Sequence, residues 1–296
     1  MMPEWEGGEW NMKEYGNYIF DLYGTLLDIE TDEQQSSLWE YMAQIYNCYG
    51  CEWKGSDLKA AYQKMVGEEE TALRQQTGYA YPEIRLERVF ARLLLEAPDR
   101  HSCEARIDGE EVEVLRTNGR RQRETVLKRM MDSEWCFWMA SQFRVSSRKR
   151  MALYPNTIQV LEQLRAEGKR IYLLSNAQRS FTMPELEITG LLPYLDAVYI
   201  SSDAGMKKPQ PEYMRKLLSE QRIGPEESVM VGNEMASDIA VAVACGLDSI
   251  YLNTFALERT QLERQKQEVL ERIGVTRATE PMLVMSGDIG EIPFLV

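Results

Sequence analysis

The sequence predicts an α/β protein: a doubly wound parallel-sheet (Rossmann-like) core with an all-helical domain inserted after its first strand. Three observations carry that reading. Residues 18–22 form a short apolar and aromatic run that Gly24-Thr25 stops with turn chemistry, as expected of a buried strand. Beyond Tyr154-Pro155, short apolar runs alternate with amphipathic stretches, the βαβ rhythm of a parallel sheet. The long stretch between them has helical spacing and no convincing strand alternation.

The elements follow in order. The first strand puts Asp21 at its carboxyl end, the edge where open α/β sheets bind ligands. A carboxylate there can serve as a nucleophile, or merely cap its own turn. Thr31-Asp32-Glu33-Gln34 reads as a capping box that starts the helical region. Leu38, Tyr41, Met42, Ile45 and Tyr46 keep helical spacing, as do Ile84, Val89, Phe90, Leu93 and Leu94. A further helix is predicted over 110–144, with Gly119 as a candidate break. The core resumes with a helix over 157–167 that Gly168 stops. Strands are predicted over 170–174, 197–200, 228–231 and 249–252, and helices over 184–189, 211–221 and 238–245. A charged amphipathic helix over 257–272 and a candidate strand over 282–285 follow. The core is thus residues 1–30 plus 152–296 and the helical insert 31–151, with hinges near 28–32 and 146–154.

Composition narrows the function. A formal net charge of -13 argues against sequence-independent nucleic-acid binding and against an anionic membrane surface. A small anionic substrate is compatible, provided the site itself is locally positive. No run approaches the ~18 apolar residues of a membrane span. Residues 1–17 lack the basic and apolar regions of a signal peptide, so a cytoplasmic location is expected. The 5 cysteines do not suggest a disulfide framework. With only one histidine, His101, the Cys48-x-x-Cys51 pair reads as packing rather than a zinc site. Arg144, Arg148, Lys149 and Arg150 read as a solvated hinge face, Arg144 being the member best placed to reach an anionic substrate. Arg116, Arg120, Arg121 and Arg123 read as exposed helix. The aromatic and methionine content of the insert leaves monomer and homodimer both open.

Polar residues cluster where the strands end. Ser175-Asn176 follows the second core strand. Ser201, Ser202 and Asp203 follow the third, leading to Lys208-Pro209, and Gly232-Asn233-Glu234 with Asp238 follows the fourth. Parallel topology sends these ends to one edge, beside Asp21. Asp21 and Asp238, with Glu234 nearby, supply the hard oxygens that Mg²⁺ prefers. Lys208 can neutralise a developing oxyanion and hold the Asp21 carboxylate ionised. The Ser175 hydroxyl and backbone N–H groups at the turns can bind phosphoryl oxygens. Taken singly, Lys208-Pro209 reads better as a surface turn, and Ser175-Asn176 or Asp238 as a helix cap. The ordered set is harder to explain that way.

With its four motifs in order, the chain resembles the haloacid dehalogenase superfamily, of the kind with a helical cap after the first strand. The motifs are Phe20-Asp21-Leu22-Tyr23-Gly24-Thr25-Leu26, Leu173-Leu174-Ser175-Asn176, Lys208-Pro209, and Val231-Gly232-Asn233-Glu234 with Asp238-Ile239. The resemblance implies that Asp21 forms an aspartyl-enzyme ester, which water then cleaves. Ser175 and Lys208 would hold and neutralise the transferred group, with Thr25 and Asn176 as candidate substrate-binding residues. Asp21, the residue 23 carbonyl (Tyr23), Asp238 and Asn233 or Glu234 would hold Mg²⁺.

One position departs from the superfamily's phosphatases, which resemble one another in a second aspartate two residues after the nucleophile. Here it is Tyr23, a phenol able to donate a proton but poor as a base at neutral pH. The same pattern is similar to the metal-independent 2-haloacid dehalogenases. Those enzymes, however, look for an arginine early in the cap, and the first arginine after Leu22 is Arg74. Glu234 and Asp238 also suit a cation better than a neutral haloacid pocket. Mg²⁺-dependent hydrolysis of a small phosphate ester therefore ranks ahead of dehalogenation, and a low-turnover scaffold that binds a phosphorylated ligand ranks third.

Overall fold

The computed structural model describes residues 13–273 and 280–294. The chain runs from β1 (Asn17–Phe20) through a tight turn into β2 (Leu27–Thr31). Helices α1 (Ser36–Cys48), α2 (Gly55–Thr77) and α3 (Leu86–Leu95) follow, then a short ribbon of β3 (Arg106–Ile107) and β4 (Glu110–Glu111). Three more helices, α4 (Val112–Arg121), α5 (Arg123–Met131) and α6 (Glu134–Ser147), lead to the return strand β5 (Arg148–Leu153). The remainder alternates: α7 (Thr157–Ala166), β6 (Arg170–Ser175), α8 (Arg179–Ile188), β7 (Ala197–Ile200), α9 (Ser201–Ala204), α10 (Pro211–Gln221) and β8 (Ser228–Gly232). Last come α11 (Ala240–Cys245), β9 (Asp248–Leu252), α12 (Arg259–Ile273) and β10 (Met282–Val284).

Six strands form one sheet in the order β10-β9-β8-β1-β6-β7, every pair parallel. Side-chain alternation explains why helices cover both faces. Tyr18, Phe20, Ile171, Leu173, Val229 and Val231 pack one way, against Val160, Leu161 and Leu164 of α7. Ile19, Tyr172, Leu174 and Met230 point the other way, against Tyr213, Met214 and Leu217 of α10. Each fully buried side chain of this kind contributes roughly 1.5–3 kcal/mol. Phe20 pairs with both Leu173 and Val231, so the ends of β1, β6 and β8 reach the same edge together.

The helices between β2 and β5 gather around their own apolar cluster, including Trp39, Tyr46, Phe90, Met139 and Phe143. Two sets of backbone hydrogen bonds tie them to the core. Strands β2 and β5 pair antiparallel, from Leu27 opposite Leu153 to Thr31 opposite Arg148. The loop between α2 and α3 is stitched to the loop before α10: Glu83 N–H donates to the Gly205 carbonyl at 3.1 Å and Lys207 N–H to the Tyr81 carbonyl at 3.0 Å.

Several local expectations need correction. The insert is not purely helical, since β3 and β4 are too short to show alternation in sequence. The region 110–144 is three helices rather than one; the break falls at Gln122, and Ser133 caps α6 by accepting the Cys136 N–H at 3.1 Å. Gly119 lies inside α4 and breaks nothing. The Thr31 capping box does not form. Thr31 is still in β2, Asp32 accepts from Gln34 N–H in a local turn, and α1 begins at Ser36. Asp238 lies in a π-helical turn, Met235–Ile239, ahead of α11. Arg116 is 1% exposed rather than solvated, because the Leu94 and Tyr49 carbonyls, the Cys51 sulfur and Glu113 satisfy its guanidinium.

Candidate active site

Asp21 directly follows β1 and continues its ladder, donating its N–H to the Val231 carbonyl at 2.9 Å. The chain then reverses. The Leu22 carbonyl accepts from the N–H groups of Leu26 and Leu27, both at 2.9 Å, and Gly24 adopts φ 86°. Two constraints demand glycine there. Side chains rarely adopt that φ, and a Cβ would lie 2.1 Å from Nδ2 of Asn233. The Gly24 carbonyl accepts the Thr254 hydroxyl at 2.7 Å, and Thr254 also accepts from Asn233 at 3.2 Å. The Asp21 turn is therefore clamped to the loops after β8 and β9.

Lys208 converges on this turn. Its Nζ stands 2.6 Å from Asp21 Oδ1 and 2.7 Å from Asp238 Oδ1. Asp21 is 7% exposed, Lys208 3% and Asp238 1%. Burial opposes the charge on Lys208, but the two carboxylates outweigh it and raise the pKa. Burial likewise pushes the Asp21 carboxyl up, to about 7, against the pull of Lys208 and with the repulsion of Asp238. The second oxygen of Asp238 accepts the backbone N–H groups of Asn233 and Glu234, each at 3.0 Å. Gly232 leaves the room for this; a Cβ there would lie 2.3 Å from that oxygen.

The other expected residues separate into two groups. Ser175 is fully buried at the end of β6, and its hydroxyl has no partner among the described residues. A buried, unpaired hydroxyl calls for a bound group to satisfy it. Thr25 lies 3.3 Å from Asp21 Oδ2 and 3.4 Å from Asn233 Oδ1. Asn176 is occupied elsewhere: its Oδ1 accepts the Lys208 N–H at 2.7 Å, and its Nδ2 donates to the Lys208 carbonyl at 3.0 Å. It holds the backbone of Lys208. Glu234 is exposed at the rim and accepts the Ser237 hydroxyl at 2.7 Å, whereas Asn233 is 4% exposed.

Among the described residues, no three His, Cys, Asp or Glu side chains are grouped to hold a metal ion. Magnesium needs only one or two carboxylates, with water and phosphate completing its octahedron. Asp21 Oδ2 and Asn233 Oδ1 converge on the Thr25 hydroxyl, a hard-oxygen set that fits such an ion.

A family model described as haloacid dehalogenase-like hydrolase matches residues 16–246. The chain belongs to the haloacid dehalogenase-like hydrolases. Relatives of this hydrolase include a ribulose-1,5-bisphosphate 5-phosphatase of Halopiger xanaduensis, 29% identical over 43% of this chain and 56% of the relative. A glyceraldehyde 3-phosphate phosphatase of Methanothermobacter thermautotrophicus is 32% identical over 39% and 50%. A phosphoserine phosphatase of Thermus thermophilus is 30% identical over 36% and 43%. The chain spans about half the length of the curated relatives it matches. The 2-haloacid dehalogenase of Pseudomonas syringae pv. Tomato shares the fold, with TM-score 0.55 and 16% identity over 95% of this chain and 97% of that one.

Sequence reasoning missed the surroundings of Tyr23. Its hydroxyl donates to Glu185 Oε2 at 2.6 Å and lies 3.1 Å from the Thr182 hydroxyl. Arg144 is not solvated: it pairs with Glu185 at 2.8 Å, its guanidinium 5.2 Å from the ring centroids of both Tyr23 and Phe181. Burial, first, and the Glu185 charge hold the Tyr23 phenol well above its ordinary pKa. A signal for Glu185 existed, since it lies one turn beyond Phe181 on the buried face of α8. No helix among the described residues is long and apolar enough to cross a membrane.

Proposed function

We propose that the chain hydrolyses a small phosphate ester through an aspartyl-phosphate on Asp21, with Mg²⁺ as cofactor. The observation that carries this reading is the buried cluster of Asp21, Lys208 and Asp238 beside the unpartnered Ser175 hydroxyl. Asp21 attacks phosphorus, the ester P–O bond breaks, and the leaving oxygen keeps the electron pair and takes a proton from solvent water. Lys208 and the Ser175 hydroxyl stabilise the transferred phosphoryl oxygens. Water then attacks the same phosphorus, the bond to Asp21 breaks, and the carboxylate and inorganic phosphate are released. Asp21, Asn233 and the Tyr23 carbonyl would hold Mg²⁺, which would offset phosphate charge. Asn176 acts by fixing the Lys208 backbone rather than by touching substrate.

The helices of residues 31–151 serve as the cap that excludes water and selects the substrate, consistent with an almost fully covered Asp21. The relatives' names support substrates that are small phosphorylated metabolites. Phosphate release from aryl and acyl phosphates, with and without Mg²⁺, tests the reading, alongside chloride release from 2-chloropropionate. The expected result is Mg²⁺-dependent phosphate release that Asp21→Asn abolishes. Activity surviving that substitution, or chloride release in chelator, would overturn it.

A further inference from the structure

We propose that Glu185 is a positioning residue that fastens the nucleophile turn to the inserted helices, holding Tyr23, Arg144 and Arg148 on one buried carboxylate. The proposal deepens the hydrolase reading and rests on it only for its kinetic arm. Glu185 is 1% exposed on α8. Its Oε2 accepts the Tyr23 hydroxyl at 2.6 Å and Arg144 Nη2 at 3.2 Å. Its Oε1 accepts Arg144 Nε at 2.8 Å and Arg148 Nη1 at 3.1 Å.

The donors come from three separate segments. Tyr23 is on the turn that carries Asp21, Arg144 is in the last turn of α6, and Arg148 opens β5. Arg144 presents a planar, two-point contact, which fixes orientation as well as distance. Its guanidinium is also held between the Tyr23 and Phe181 rings, so it cannot shift without moving the phenol. Phe143 stacks on Phe181 at 6.3 Å and carries the same contact into the helical cluster. Glu33, ahead of α1, is the other carboxylate that acts on Arg144.

This arrangement is discrete. If α6 and β5 swing away, both arginines leave and the Glu185 carboxylate keeps only the Tyr23 hydroxyl of the partners described above. A buried carboxylate stripped of its cations is strongly unfavourable. The closed arrangement and the position of Tyr23 are therefore set together. Tyr23 acts in this scheme as the link between Glu185 and the Asp21 turn.

Steady-state kinetics on an aryl phosphate with Mg²⁺, together with amide hydrogen exchange over residues 21–27 and 144–153, test the proposal. The proteins compared are wild type, Glu185→Gln, Tyr23→Phe and the double variant. Glu185→Gln should lower kcat about ten- to a hundredfold, the cost of a small misplacement, with KM little changed. Tyr23→Phe should lower kcat less, and the double variant should be no slower than Glu185→Gln, because the two groups act as one unit. Exchange should quicken in both segments in Glu185→Gln, but only over 21–27 in Tyr23→Phe. A folded Glu185→Gln with unchanged kcat overturns the proposal, as does a double variant whose losses multiply. A wild-type protein inactive on every phosphate sinks the hydrolase reading instead. Exchange then decides this one alone, and no change over 21–27 in either variant overturns it. Should Glu185→Gln fail to fold, Tyr23→Phe carries the same exchange test.

Discussion

Lys208 is buried between two carboxylates, 2.6 Å from Asp21 and 2.7 Å from Asp238. One ammonium faces two carboxyl groups, and burial and Asp238 raise the Asp21 pKa to about 7 despite it. Removing the cation leaves the carboxylates facing each other without compensation, a defect worth roughly 3–5 kcal/mol when a buried pair is broken. Lys208→Met should therefore lower the urea-unfolding free energy by about 3 kcal/mol, and should cut phosphate release by a factor on the order of 10² to 10³. A variant as stable as wild type would show that the triad is not the charge cluster described. Asn176→Ala leaves the triad's charges in place and frees only the Lys208 backbone, so its effect should be mainly on kcat, by about tenfold.

At the scale of elements, the turn after β1 and the π-helical turn after β8 depend on glycines that admit a close neighbour. Gly24→Ala would add both a disfavoured φ and a Cβ against the Asn233 amide. It should cost about 2 kcal/mol in denaturant unfolding and loosen Thr254 from the turn. Gly232→Ala should displace Asp238 with the φ penalty absent, so activity should suffer more than stability. In the insert, α3 is held by a charge network around Arg92, which is 5% exposed and bonded to Glu68, Glu69 and Glu96. Burial raises the Glu96 pKa, but hydrogen bonds from Arg92 and Arg123 more than offset it and bring it below 4.5. The sign follows: this stabilisation is fully present above pH 4.5 and is lost as pH falls through the lowered value. Thermal unfolding followed between pH 6 and 3 should show it, and Glu96→Gln should remove a share on the order of 1 kcal/mol.

Across the whole molecule, the insert is joined to the sheet at three places that surround Asp21. One is the β2–β5 pair, one is Glu185 with its arginines, and one is the loop around Glu83. Gln178 organises the third: its Oε1 accepts the Leu86 N–H at 2.9 Å, while its Nε2 donates to the Ile84 carbonyl at 2.9 Å and to Glu83 at 3.2 Å. Gln178→Ala should speed amide exchange over residues 81–86 and at Lys207 while leaving the sheet protected. Unchanged exchange there would mean that the loop is held by its backbone pairing with Gly205 and Met206 alone.

The sequence by itself determined the sheet and the polar residues that meet at its edge. Apolar runs of four to six residues bounded by glycine and proline leave little choice but buried parallel strands. Strand β7 and helix α10 fall on the expected residues, because their boundaries are set by local chemistry, including a proline at the first position of α10. Parallel topology then brings Asp21, Ser175, Lys208 and Asp238 to one edge. What only the tertiary structure decided is how charges are paired across distant segments. Arg116 and Arg144 look like surface residues in a polar helix, and Glu185 like any acidic residue beside another. Their burial depends on carbonyls, rings and counter-charges that arrive from elsewhere in the chain, which no local pattern encodes. The same holds for Asn176, whose role is fixed by where the Lys208 backbone comes to rest. The strand placed Asp21 at the carboxyl end of β1 and left nucleophile and turn cap both open. What holds its turn in place became visible only once the chain was folded.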